Sequence, residues 1–154
     1  MTRTTARLIA TFGGCGLAPR APGTVGSLAA LVVGVPLLGH WIWMAVAILL
    51  CTGVGYQATA AASDGEDHSW IVIDEVAGMW LAMLPLAPLP LSGLRWADGL
   101  WLLLAFVLFR LFDITKPGPV GWFDRRHDAI GIMGDDIVAG LLAAAILTGI
   151  HYLA

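Results

Sequence analysis

Residues 21 to 63 run for 43 positions without one Asp, Glu, Lys or Arg. A stretch this long and this apolar folds as helix surrounded by other apolar groups, and a lipid bilayer is the solvent that offers them. As one helix it would measure about twice the hydrocarbon thickness. Gly39-His40 is the natural break, which predicts a helical hairpin with helices near 24–38 and 41–62. Further charge-free runs cover 76–94, 99–109 and 137–154, and the chain as a whole is 58% hydrophobic and 12% charged. That balance lies outside the range of soluble domains. The expectation is a single all-α domain over 1–154, a compact multi-pass membrane bundle of about four to five apolar helices. A net charge of −3, with no basic tract, gives no reason to expect a nucleic-acid partner.

The remaining elements follow from the punctuation. A third helix is expected over 70–84, stopped by Pro85, Pro88 and Pro90, and a turn over 91–98. A fourth runs from Gly99 to Thr115 and ends at Lys116-Pro117-Gly118-Pro119. A polar connection then reaches Asp136, and a fifth helix opens at Ile137. Counting crossings puts the loops near 12–26, 63–75 and 110–136 on one face. Seven of the eight basic residues lie there, with Arg95 opposite, which makes that face cytoplasmic. Ten of the eleven acids lie there too, Asp98 excepted. No secretory signal is evident, since Arg3 and Arg7 lead straight into Gly13-Gly14-Cys15-Gly16. Cys15 and Cys51 lack metal spacing, and neither a disulfide nor a zinc site is expected. Gly34, Gly53, Gly55, Gly78, Gly140 and Gly149 would let helices approach closely.

The acids carry the functional signal. Asp74-Glu75, Asp113 with Asp124, and Asp135-Asp136 each border apolar sequence, where an ionised carboxylate is costly without a positive partner. A shared divalent cation and a phosphate-bearing substrate are the first hypothesis. Asp74 and Glu75, about 100° apart on a helix, could embrace one metal or divide between metal and water; an acid pair favoured by a helix start is the plainer explanation. Arg110, Asp113 and Lys116 follow at i+3 steps, so a metal-ligating Asp113 would stand between two phosphate-gripping cations. An ordinary i,i+3 ion pair is the alternative. Asp135-Asp136 precede the expected last helix, where one Asp would suffice as a cap. For Asp124, in Trp122-Phe123-Asp124-Arg125-Arg126, a site role and an interfacial anchor both remain open.

The loop from Gly16 to Ser27 leads into a helix, and Arg20, Thr24 and Ser27 could add donors to backbone N–H groups that bind phosphate; simple capping by Thr24 or Ser27 is equally compatible. It is no Walker A loop, for it lacks the Lys-Ser/Thr ending. His68 and His127 read as solvated loop histidines on the site face, with acid–base work open to His68.

Gly-Leu-Ala-Pro-Arg-Ala-Pro-Gly-Thr-Val-Gly-Ser (16–27), Ile-Asp-Glu-Val-Ala-Gly-Met-Trp (73–80), Phe-Arg-Leu-Phe-Asp-Ile-Thr-Lys-Pro-Gly-Pro (109–119), Trp-Phe-Asp-Arg (122–125) and Gly-Ile-Met-Gly-Asp-Asp-Ile-Val-Ala-Gly (131–140), read in order, resemble the phosphatidylglycerophosphatase A family. The resemblance implies an α-helical, Mg²⁺-dependent phosphatase of the bacterial inner membrane, with its active site facing the cytoplasm, acting on the anionic phospholipid phosphatidylglycerophosphate. It implies Asp74, Glu75, Asp113, Asp135 and Asp136 as metal-site acids and Arg110 and Lys116 as phosphate contacts; Arg20, Thr24 and Ser27 of the Gly/Pro loop, and Arg125, are further phosphate candidates beside it. One departure is local: Asp128-Ala129-Ile130 stands where a glycine pair often precedes the Gly-Ile-Met string.

Two other classes stay in view. A CDP-alcohol phosphotransferase would use aspartates and Mg²⁺ at a membrane, but its Asp-Gly-x2-Ala-Arg pattern is missing. A small cation transporter or channel would also bury acids, though Arg110 and Lys116 beside them favour an anionic substrate. Oligomeric state is not legible.

Overall fold

The computed structural model describes residues 1–63, 68–89 and 96–153. Asp64, Glu66, Asp67, Arg95 and most of the turn expected over 91–98 lie outside the described residues. The rest form seven α-helices joined by turns: α1 (Arg3–Ala10), α2 (Pro22–Gly34), α3 (Trp41–Ala62), α4 (Ile73–Met83), α5 (Trp96–Thr115), α6 (Pro119–Asp124) and α7 (Ala129–Leu153).

Helices stand on both sides of Gly39-His40 as expected, but they do not pair as a hairpin: α2 packs on α4 and α5, and α3 packs on α1, α4 and α7. Pro22, with its fixed φ, opens α2 after Ala21 in the left-handed region at φ 46°. A 3₁₀ turn over Val35–Leu37 closes it, and the Gly39 N–H donates to the Ala87 carbonyl at 2.6 Å. That bond ties the turn between α2 and α3 to the end of the α4 segment.

α4 is the centre of the bundle and packs against α2, α3, α5 and α7. Val76, Ala77, Met79, Ala82 and Met83 are wholly buried, and Trp80 donates its indole N–H to the Ala30 carbonyl at 2.8 Å. Glycine makes the α4–α7 crossing possible. A Cβ on Gly140 would stand 2.3 Å from the Gly78 carbonyl oxygen, and one on Gly78 would stand 2.5 Å from that of Asp136. The two backbones therefore touch. Gly34 and Gly55 also sit at close contacts, whereas Gly53 and Gly149 face open space.

Two features differ from the sequence reading. Among the described residues only α3 and α7 are long and apolar enough to cross a membrane, not four to five helices. α4 has 11 residues, about 16 Å or half a hydrocarbon core, while α5 carries Asp98, Arg110 and Asp113. Leu28, Val32, Leu49, Leu50, Leu103, Val107 and Leu141 nevertheless stand exposed on the outer surface, which is the face hydrocarbon would cover.

The second difference is the start of the last helix, at Ala129 rather than Ile137. Asp128 does the capping: its Oδ1 accepts from the Gly131 N–H at 2.9 Å and its Oδ2 pairs with Arg126 at 2.8 Å. The Arg126 guanidinium, then the Gly131 N–H, hold its carboxyl below the usual range. Asp135 and Asp136 consequently lie inside α7, so capping no longer explains them. The expected polar connection also contains α6, whose Phe123 ring packs where a Cβ on Gly134 would come within 2.4 Å. α1 was not expected either. It is capped by Thr2 and buries only Ala6 and Ala10, too narrow an apolar stripe to stand out beside the long runs.

Candidate active site

Four helices bring the acids together. The first turn of α4 supplies Asp74 and Glu75, the last turns of α5 supply Arg110 and Asp113, α6 ends in Asp124, and α7 contributes Asp135 and Asp136. Asp74, Asp113, Asp135 and Asp136 are all buried, Asp136 at 3% exposure.

Arg110 bridges two acids and a hydroxyl. Its Nη1 lies 2.5 Å from Asp113 Oδ2 and 3.5 Å from Glu75 Oε1, and donates to Ser27 Oγ at 3.4 Å. Ser27 in turn donates to the Gly23 carbonyl at 2.8 Å. Glu75 reaches this position because α2 leaves room for it. A Cβ on Gly23 would stand 2.0 Å from Glu75 Oε1, and one on Gly26 would stand 2.8 Å from Oε2. The motif singled out for phosphate binding thus first serves as a slot for a carboxylate, a role its composition did not announce.

Lys116 ends α5 with φ +49°, a left-handed conformation that costs a non-glycine residue about 1–3 kcal/mol. From there its Nζ lies 2.5 Å from Asp135 Oδ2, 3.1 Å from Asp113 Oδ1 and 3.4 Å from Asp124 Oδ1. Burial disfavours the charge, but the hydrogen bond and charge of Asp135, then the charges of Asp113 and Asp136, hold the ammonium above its ordinary range. Asp124 therefore touches the site at its exposed edge.

Six carboxylates, with Asp124 at the edge, gather around two cations here, an imbalance that a further positive charge would relieve. Asp113, Asp135 and Asp136 each place an oxygen within 4.8 Å of the others. Asp136 Oδ1 is buried without a hydrogen-bond partner, as are Glu75 Oε2 and Arg110 Nε. All-oxygen ligands of this kind suit a hard divalent cation. Asp74 and Glu75 fall outside the trio. Asp74 Oδ1 accepts the Glu75 N–H at 3.0 Å, as Asp135 Oδ1 accepts that of Asp136 at 2.9 Å.

Other sequence candidates are placed apart or left open. Arg20 and Arg125 are exposed, neither making an ion pair with a described residue, and Thr24 is half-buried. His68 stacks on Trp70 at 5.2 Å between ring centroids, and His127 is exposed. Cys15 and Cys51 are both free thiols.

A family model described as phosphatidylglycerophosphatase A matches residues 8–151. The chain is 41% identical over 145 residues to a phosphatidylglycerophosphatase A of Escherichia coli (strain K12), covering 91% of this chain and 80% of that one. It is 40% identical over 152 residues to a phosphatidylglycerophosphatase A of Haemophilus influenzae, covering 94% and 88% respectively. No solved structure matches it.

Proposed function

The chain belongs to the phosphatidylglycerophosphatase A family, and on that premise we propose that it hydrolyses phosphatidylglycerophosphate to phosphatidylglycerol and phosphate. The single observation that supports this best is the placement of Arg110 and Lys116 among buried acids. Each cation touches Asp113, so an anionic group entering between them meets positive charge already held in position.

In this reading Asp113, Asp135 and Asp136, with Asp74 and Glu75 beside them, would hold Mg²⁺, and the ion when bound would polarise the phosphate and lower the pKa of a water. Arg110 offers a planar fork and Lys116 a point charge to the phosphate oxygens, and both stabilise the charge that gathers there during displacement. Ser27 braces Arg110, while Arg20, Thr24 and Arg125 are candidates for the outer phosphate contacts. The lipid would enter from a cytoplasmic membrane, with the site open to the cytoplasm, where the basic residues concentrate.

A cation channel would be expected to leave its carboxylates without competing ammonium and guanidinium groups, and here both cations are already paired to them. The test is phosphate release by purified protein from phosphatidylglycerophosphate, with and without Mg²⁺. Cation flux through liposomes without hydrolysis would favour the channel.

A further inference from the structure

Between α3 and α7, the two helices among the described residues that are long and apolar enough to cross a membrane, runs a groove of about 450 Å³ lined by Gly53, Tyr56, Phe123, Met133, Ile137 and Val138. Its residues alternate with those of the acidic site. Phe123 precedes Asp124, Gly134 of the same groove precedes Asp135, and Ile137 follows Asp136. Neighbours on a helix diverge by about 100°, so one stretch of α7 presents carboxylates on one side and this apolar lining on another, with α6 at the shared edge.

We propose that the groove holds one acyl chain of the phospholipid whose phosphate occupies the acidic site. The inference rests on the phosphatase reading above and adds a determinant of chain recognition. Three observations support this occupant. The groove lies between the two candidate membrane spans, where hydrocarbon is the surrounding solvent. It adjoins the polar site through three pairs of consecutive residues, so a single amphipathic molecule can reach both. A partner helix, about 10 Å across, would fit only about one turn into that volume, whereas a single chain is thin enough to follow the groove along its length.

Gly53 supplies the test, because a Cβ added there meets nothing within 4 Å. Gly53→Leu therefore puts apolar bulk into the groove while raising helix propensity. Gly149, equally open on α7 and outside the groove lining, gives the control Gly149→Leu. With dioleoyl-phosphatidylglycerophosphate, Gly53→Leu should raise KM about tenfold, as displacing roughly two methylenes would, and leave kcat intact. KM for the dibutanoyl analogue should not move, and Gly149→Leu should match wild type on both. Unchanged dioleoyl kinetics in Gly53→Leu, or equal shifts for both substrates, would overturn the proposal.

A second measurement needs no turnover. A phosphatidylglycerol bearing a mid-chain diazirine should cross-link to Met133 and Ile137 in wild type and lose that labelling in Gly53→Leu. Equal labelling in both proteins would refute the groove. Wild-type protein that labels at these positions but releases no phosphate would contradict the phosphatase reading and leave the chain site standing.

Discussion

Lys116 Nζ lies 2.5 Å from Asp135 Oδ2, joining the end of α5 to the interior of α7 across nineteen residues. Because the same ammonium bonds Asp113 at 3.1 Å, it neutralises charge on two acids of the three-carboxylate cluster. Removing it should separate metal binding from catalysis. Lys116→Met should cut kcat by about 100-fold or more, as loss of a preorganised charge at a phosphoryl site does, while the half-saturating Mg²⁺ concentration stays level or falls. A marked rise in that concentration would mean that Lys116 supports the metal site rather than the phosphate. Its side chain is 28% exposed, so solvent screening should limit the stability cost to about 1–2 kcal/mol.

The same pairing predicts a pH response. The ammonium is held above its ordinary range, so its stabilising contribution is complete below the unfolded lysine pKa of about 10.4 and is lost only above it. Between about pH 6 and 9 Lys116 should remain charged. A pH–rate profile checks this: an alkaline limb in that window that disappears in Lys116→Arg would contradict it.

Glu75 and Gly23 are coupled by contact. With a Cβ on Gly23 placed 2.0 Å from Glu75 Oε1, Gly23→Ala must move the carboxylate and loosen its contact with Arg110. Activity should fall about 10- to 100-fold, the penalty for misplacing a site by about 1 Å, with little change in thermal midpoint. Full activity in Gly23→Ala would remove Glu75 from the site.

The α4–α7 crossing should respond in stability instead. Gly140→Ala meets the Gly78 carbonyl at 2.3 Å and should cost about 1–3 kcal/mol by overpacking, read as a lowered midpoint in detergent. Gly149→Ala, in open space, should be neutral or stabilise by up to about 1 kcal/mol. Equal midpoints for the two variants would mean that the backbones do not touch there.

Much of this arrangement was legible from residue patterns. The break at Gly39-His40 and the charge-free runs located α2 and α3 closely, and Pro85 and Pro117 marked the ends of α4 and α5. The acids were read as one site because each sat against apolar sequence. What misled was Asp135-Asp136. An acid pair inside an apolar helix is costly, so the pattern ended the polar connection there and delayed α7 to Ile137. The cost is offset by Lys116, nineteen residues away, and no local pattern can display a partner at that distance. α1 and α6 were missed because a helix of eight or six residues has too few positions for periodicity to register. The role of Gly23 and Gly26 was hidden for a related reason: it depends on Glu75, which α4 delivers.

The most direct measurement is phosphate release from phosphatidylglycerophosphate by wild type and Asp136→Asn, each with Mg²⁺ and with a chelator. Asp136 is chosen because it is buried with Oδ1 lacking any hydrogen-bond partner, so the isosteric amide changes charge with little change in packing. Wild type should release phosphate only with Mg²⁺, and the variant should lose at least about 100-fold, its thermal midpoint no longer rising with Mg²⁺. Release that persists in chelator, or an Asp136→Asn protein as active as wild type, would contradict this reading.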